Sequence, residues 1–173
     1  QEALASGYNG WYAPAMNTHR SPFAGRNFEY YSEDGFLSGE IASSEVAAIQ
    51  DKGVDVVMKH FALNDCEQER LGQAAWVGEQ AAREIYLKGF EICVKLAKPK
   101  TLMTSYNKTN GVWGHYNYEL CTRILRQEWG YEGNVMTDWW MRSANSPEFP
   151  QIRDNAYRVR AGVDVLMPGG KRS

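Results

Sequence analysis

Short apolar runs that stop on polar or charged residues recur along this chain, each separated from the next by a helical stretch. That alternation constrains the fold more than any other feature. Trp11-Tyr12-Ala13-Pro14-Ala15-Met16 runs into Asn17, Thr18, His19 and Arg20. Val54-Asp55-Val56-Val57-Met58 stops at Lys59-His60, and Leu102-Met103-Thr104-Ser105 stops at Tyr106-Asn107. Asn134-Val135-Met136-Thr137 stops at Asp138, and Val163-Asp164-Val165-Leu166-Met167 stops at Pro168-Gly169-Gly170.

Helices are expected in between. Residues 37–51 read as helix, with Ile41, Val46 and Ile49 apolar and Gly53 just beyond. Residues 73–97 carry Ile85, Leu87, Phe90, Val94 and Leu96 at helical spacing, and Pro99 stops them. Two more are expected over residues 117–129, closed by Gly130, and over about 151–161.

Strands that alternate with helices must pair in parallel, because a parallel neighbour needs a crossover and the crossover helices cover the sheet. Polar residues at the ends of such strands are what a β/α barrel presents at its active face. An open doubly wound sheet would usually carry a glycine-rich phosphate turn after an early strand, and none is present. The expected fold is therefore α/β: a partial (β/α)8 TIM-type barrel with about five of the eight strands. A whole barrel takes roughly 250 residues, and this chain has 173. The missing strands must come from another part of the native protein, from another chain, or not at all. The first residues, Gln1-Glu2-Ala3-Leu4-Ala5-Ser6-Gly7, lack an initiator Met, a basic leader and an apolar stretch. The chain is thus expected to start inside a longer protein, with no signal peptide.

Composition removes several classes of function. A formal net charge of −2 gives no electrostatic case for nucleic acid. No apolar run approaches the length of a membrane span. Cys66, Cys93 and Cys121 are far apart and form no C-x-x-C, so they read as free thiols, which favours a reducing, cytoplasmic compartment over secretion. His19, His60 and His115 lack metal-ligand spacing, and no metal or organic cofactor is expected. Aromatic residues make up 13% of the chain. They can serve a well-packed core or a site that stacks on sugar rings.

The strand-end residues can carry chemistry, each with a plainer alternative. Asp138, followed by Trp139 and Trp140, could attack an anomeric carbon between flanking rings, or cap a helix. Lys59 and His60 could donate hydrogen bonds to sugar hydroxyls. They could equally pair with Asp65, Glu67 or Glu69, or Lys59 could form a Schiff base. Arg20 and Arg26 could fork onto hydroxyls or carboxylates, or pair with Glu29, Glu33 or Asp34 to hold their loop. The polar stretch from Asn64 to Arg70 reads by default as a solvated loop. Asn107-Lys108-Thr109 matches the N-glycosylation triplet, a pattern frequent by chance.

Taken in order, five motifs resemble those of glycoside hydrolase family 3. Gly25-Arg26-Asn27-Phe28-Glu29-Tyr30-Tyr31-Ser32-Glu33-Asp34 is similar to G-R-x-x-E-x-x-x-E-D. Lys59-His60-Phe61-Ala62-Leu63-Asn64, continuing to Glu67 and Arg70, is similar to K-H-F-x-x-N-x-x-E-x-x-R. Met103-Thr104-Ser105-Tyr106-Asn107 with Asn110-Gly111 is similar to M-x-S-Y-N-x-x-N-G. Leu125 to Gly133 followed by Val135-Met136-Thr137-Asp138-Trp139 is similar to L-R-x-E-W-G-F-x-G-x-V-x-S-D-W, with Thr137 in place of the commoner Ser. Ala161-Gly162-Val163-Asp164 with Met167-Pro168-Gly169 is similar to A-G-x-D-x-x-M-P-G. The likeness covers about residues 11 to 170.

The resemblance implies a retaining, exo-acting β-glycosidase, with β-glucosidase as the leading specificity and Asp138 as nucleophile. It implies that Arg26, Lys59 and His60 bind sugar hydroxyls and that Met103, Tyr106 and Trp139 line the first subsite. Arg20 and Glu69 are carried as further candidates. The substrate would be a β-glycoside or oligosaccharide. The rest of the parent enzyme would supply the early strands, a further sugar-gripping Asp and a Glu acid/base, leaving residues 1–173 as the central to C-terminal part of the barrel domain. Members acting on N-acetylglucosamine use a loop His instead. Lys59-His60-Phe61 here continues with Ala62-Leu63-Asn64 rather than Pro-Gly, which favours the glucosidase branch over that one; β-xylosidase specificity ranks behind glucosidase as an alternative. Two rivals remain: a non-catalytic sugar-binding remnant, and a Schiff-base lyase using Lys59.

Overall fold

The computed structural model describes residues 1–141 and 155–168. Five strands form one parallel sheet: β1 (Gly10–Trp11), β2 (Asp55–Phe61), β4 (Thr101–Thr104), β7 (Asn134–Trp139) and β8 (Val165–Met167). Their order in the sheet is their order in the chain. Each crossover steps to the adjacent position, and the sheet curls as a half-barrel, as the sequence leads one to expect. A small second sheet lies among the loops: β3 (Ala74–Ala75) pairs in parallel with β5 (Lys108–Thr109), which forms a hairpin with β6 (Val112–Trp113).

The period-2 alternation of strand side chains separates two layers. Val56, Met58, Leu102 and Val135 point outward into the main core, against Val46, Leu87, Phe90, Cys93, Leu120 and Leu125 of the surrounding helices. Each such side chain contributes roughly 1.5–3 kcal/mol by burial. Val57, Met103 and Met136 form a separate cluster on the concave face, joined by Met167. Two residues beyond Val57 and Met136 come Lys59 and Asp138, so the same alternation lines the inner face towards the strand ends.

Several bounds differ from those read in the sequence. The first strand is regular only over Gly10–Trp11, because Pro14 has no N–H to continue the ladder. The chain still follows β2 to Met16: Val57 N donates to Ala13 O (3.1 Å), Lys59 N to Pro14 O (2.9 Å) and Met16 N to Lys59 O (2.7 Å). The helix Gly35–Gln50 starts earlier than expected, capped by Asp34, whose Oδ1 accepts from Phe36 N (2.8 Å). Residues 73–78 are not helical. Gln73 O and Ala75 O instead accept from Lys108 N and Asn110 N, and helix begins at Glu79. It passes through a wider, π-type turn over Ala82–Tyr86 before Lys88–Ala97, and ends where Lys98 turns left-handed ahead of Pro99. The stretch Glu119–Glu128 is also a π-type helix, begun by Asn117, whose Oδ1 accepts from Leu120 N (3.0 Å). Of the helix expected near residues 151–161, Ala156–Ala161 is seen. Residues 151–154 and Gly169-Gly170 lie outside the described residues.

The helices Gly35–Gln50 and Lys88–Ala97 pack closely because their contact is glycine. A Cβ on Gly39 would lie 2.8 Å from Cβ of Ile92 and 3.1 Å from the carbonyl oxygen of Gly89. The three cysteines are free, with Cys93 and Cys121 buried. Burial pushes both of those thiols up to about 12, which leaves them inert.

Candidate active site

Every predicted site residue stands at or just beyond the C-terminal end of a strand or on the loop after β1. Asp138 is the fifth of six residues in β7 and is 4% exposed. Its Oδ1 accepts from the backbone N–H of Trp139 (2.6 Å). Its Oδ2 lies 3.6 Å from His60 Nε2, beyond hydrogen-bond distance. Burial pushes this carboxyl above the usual carboxylate range, while the Trp139 N–H and the positive charges of Arg70, Arg26 and Lys59 oppose that rise without cancelling it. The strand runs on through Trp139, so Asp138 caps no helix here.

The cations are held in a chain of ion pairs. Glu29 joins Arg26 to Lys59: one oxygen pairs with Arg26 Nε and the other lies 3.5 Å from Lys59 Nζ. Glu67 joins Arg26 (3.5 Å) to Arg70 (2.7 Å) and accepts from Asn64 Nδ2 (3.0 Å). The Arg70 guanidinium lies 4.4 Å from the centroid of the Tyr106 ring. Tyr106 in turn donates its hydroxyl to the carbonyl of Trp139. The chain of contacts thus returns to the strand that carries Asp138. Three cations and, counting Asp138, three carboxylates balance within this cluster.

His60 is 2% exposed. Burial, reinforced by Arg26, Lys59 and Arg70, holds its imidazole well below the usual range, so it is neutral at physiological pH. Met103 lies fully buried on the concave face. Trp139 is half-buried, its ring 5.4 Å from Tyr12 and 5.9 Å from Trp140. The structure therefore brings Arg26, Lys59, His60, Met103, Tyr106, Asp138 and Trp139 to one end of the sheet.

Two further candidates fall elsewhere. Arg20 lies over the Tyr86 ring (5.3 Å) and hydrogen-bonds its hydroxyl. Glu69 is an exposed, left-handed turn residue whose carbonyl accepts from Gly72 N and Gln73 N. The stretch from Asn64 to Arg70 is not the solvated loop of the default reading. Asn64 is buried, Asp65 accepts from Thr18 N (2.8 Å), and Glu67 and Arg70 enter the site. Asn107, first residue of the glycosylation triplet, is 1% exposed and donates to Ala62 O (3.1 Å), so no sugar can be attached to it in this fold.

Four residues join the site that the sequence reading did not place in it. The sequence offers Glu29 and Glu67 only as pairing alternatives: the Arg26–Glu29 pair forms, whereas Glu67 pairs with Arg26 and Arg70 rather than with Lys59 or His60. Arg70 was visible as a motif letter without a partner. Asn17, at the end of the first apolar run, hydrogen-bonds His60 on both sides of its backbone, and no spacing announced it. Among the described residues no group of His, Cys, Asp and Glu could hold a metal ion, and no helix is long and apolar enough to cross a membrane.

Fold and site together define a segment of a parallel β/α barrel that buries one carboxylate beneath three cations at its strand ends. The sequence profile of the glycosyl hydrolase family 3 N-terminal domain matches residues 1–173, and the chain belongs to that family. It is 49% identical over 170 residues to a β-glucosidase A of Butyrivibrio fibrisolvens, covering 98% of this chain and 19% of the relative. It is 46% identical over 154 residues to a β-glucosidase of Ruminococcus albus, covering 89% and 16%. The structure of β-glucosidase 3B from Thermotoga neapolitana in complex with glucose superposes with a TM-score of 0.88 at 47% identity, over 97% of this chain and 22% of that one. The chain thus spans less than a quarter of each of these proteins.

Proposed function

We propose that the protein containing this segment is a retaining, exo-acting β-glucosidase with Asp138 as its nucleophile. The observation that carries the reading is the state of Asp138: buried at a strand's C-terminal end, one oxygen fixed by a backbone N–H, the other without a hydrogen bond among the described residues, and within the field of the cations Arg70, Arg26 and Lys59. The names of the relatives support glucose as the sugar.

In this mechanism Asp138 Oδ2 attacks the anomeric carbon. The C1–O bond to the aglycone breaks, and a general acid from the rest of the protein protonates the departing oxygen. Water, deprotonated by the same group, then displaces Asp138 and retains the configuration. Retention requires the two carboxyls to lie about 5–5.5 Å apart. Arg26, Lys59 and Arg70 donate hydrogen bonds to sugar hydroxyls, and Trp139 offers its ring at the mouth. Residues 1–173 form the central to C-terminal part of the barrel domain, and the parent chain supplies the missing strands. Neither a metal nor a cofactor takes part.

The test uses the full-length enzyme and a 2-deoxy-2-fluoro β-glucoside with a good leaving group. The fluorine destabilises the oxocarbenium-like transition state, so a covalent glycosyl-enzyme accumulates. Digestion and mass spectrometry are expected to find the label on the peptide holding Thr137-Asp138-Trp139, and Asp138→Gly to abolish turnover until azide restores it as the inverted glycosyl azide. A label on Lys59, Glu67 or Glu69 would overturn the assignment. Full activity of Asp138→Gly without azide would favour another chemistry altogether.

A further inference from the structure

Asn17 grips the residue beside the nucleophile in a way that fixes the chemistry of its ring. The backbone N–H of His60 donates to Asn17 Oδ1 (3.0 Å), and the backbone carbonyl of His60 accepts from Asn17 Nδ2 (2.9 Å). A backbone N–H can only donate and a carbonyl can only accept. The side-chain amide of Asn17 therefore has one possible orientation, with its oxygen towards the His60 N–H. That same oxygen lies 3.3 Å from His60 Nδ1. An amide oxygen offers no proton, so the contact is a hydrogen bond only if Nδ1 carries one. Both partners are at most 2% exposed, and no bulk water competes for them.

We propose that Asn17 is a positioning residue that holds His60 in its Nδ1–H tautomer, so that Nε2 meets the substrate as a hydrogen-bond acceptor. A neutral imidazole carries one proton, and that proton is committed to Asn17. The bare Nε2 then faces Asp138 Oδ2 at 3.6 Å, two acceptors with no proton between them. A sugar hydroxyl entering this gap donates to Nε2, and its oxygen accepts from the cations Arg26 and Lys59. The sequence reading gave His60 the role of donor; the geometry assigns it the opposite one. The consequence is selectivity: a sugar with hydrogen or fluorine in place of that hydroxyl leaves Nε2 unpaired. Its kcat/KM should fall by about 10- to 100-fold.

The inference rests on the reading of Asp138 as nucleophile only for its kinetic arm; the tautomer can be measured without turnover. In full-length enzyme labelled with 15N-histidine, long-range 1H–15N spectra distinguish protonated from bare ring nitrogens, and loss of one signal set in His60→Gln assigns the residue. The expected result is a protonated Nδ1 and a bare Nε2 at neutral pH. The kinetic arm uses Asn17→Asp. A carboxylate there still accepts from Nδ1–H but adds a negative charge against the cations Arg26, Lys59 and Arg70, raising the His60 pKa. Below that pKa the imidazolium turns an Nε2–H onto Asp138 and blocks the hydroxyl. Activity is then lost as pH falls through the raised value, so the acid limb of kcat/KM moves up in pH; loss of the Nδ2 donor to the His60 carbonyl lowers the plateau above it as well. In Asn17→Leu, Nδ1 loses its acceptor, and the proton is expected on Nε2 with kcat/KM lower at every pH. An Nε2–H tautomer in the wild-type enzyme overturns the proposal, as does an unmoved acid limb in Asn17→Asp. If Asn17→Leu fails to fold, the wild-type spectrum and the Asp variant decide. If instead Asp138→Asn stayed active, the functional reading would fall while the tautomer assignment stood.

Discussion

Glu29→Gln in the full-length enzyme tests whether the ion-pair chain sets the site. Glu29 holds Arg26 and Lys59 at once, with all three side chains less than a quarter exposed. At 3.5 Å the Lys59 pair alone corresponds to about 5 kcal/mol of Coulomb attraction at an effective dielectric of about 20. Desolvation and the remaining hydrogen bond from Arg26 to the Gln amide oxygen reduce the net loss to about 1–2 kcal/mol. If that energy goes into aligning donors on the sugar, kcat/KM falls about five- to thirty-fold. The substitution also removes one of three negative charges from a balanced cluster. Arg26 and Lys59, no longer neutralised, then act more strongly on Asp138 and lower its pKa. Asp138 must be ionised to attack, and activity is lost as pH falls through its pKa, so the acid limb moves to lower pH. The assay is kcat/KM for an aryl β-glucoside across pH, with circular dichroism to establish folding. An acid limb that moved up, or a folded variant with wild-type kcat/KM at every pH, would refute the reasoning.

Two further outcomes follow from the same geometry. Asp65 is held near Thr18 by burial, which pushes its carboxyl up to about 6 from the 3.8 of an unperturbed group. Its contribution to stability is therefore full below about pH 4 and lost as pH rises to about 6. Asp65→Asn, which keeps the acceptor for Thr18 N–H, is expected to flatten thermal stability across that window; an unchanged slope would show that Asp65 is ionised at no cost. The isolated 173-residue chain is expected to be inactive on β-glucosides with poor leaving groups and to associate or aggregate, because β1 and β8 leave two open sheet edges. A stable, active monomer in sedimentation and rate assays would contradict both expectations.

The parallel sheet was legible because strand ends and helical stripes follow periods of 2 and 3.6, and five strands joined by four helical crossovers leave little topological choice. The strand that carries Asp138 was legible for the same reason: three buried residues, Val135, Met136 and Thr137, deliver Asp138 to the edge. What escaped depends on contacts that no period encodes. Ala74 and Ala75 favour helix by propensity, yet their backbone is claimed by Lys108 and Thr109, and a two-residue strand has no alternation to detect. The wide turn at Ala82–Tyr86 keeps its apolar stripe and so resembles an ordinary helix from sequence alone. Asp65 and Asn64 read as solvent-facing because they sit in a polar stretch, but the loop folds inward and spends them on Thr18, Glu67 and Tyr30.

The same contacts say which carboxylates are unsuited to the second chemical role. A general acid must release its proton to the leaving oxygen and recover it in each turnover. Glu29 is held between Arg26 and Lys59, and Glu67 between Arg26 and Arg70. Either one would have to break two ion pairs to become protonated, and doing so would loosen the donors that hold the sugar. Glu33 and Glu69 are exposed to solvent, and Glu69 belongs to a turn whose backbone closes on Gly72 and Gln73. Asp138 thus differs from these glutamates: it is buried, and among the described residues one of its oxygens is unclaimed and no ion pair within hydrogen-bond distance restrains it. On the proposed function, a cluster built this way suits attack and leaves protonation to a group outside it. It follows that Asp138 and its cations could be assembled correctly in this segment and still await the step that lets the aglycone leave.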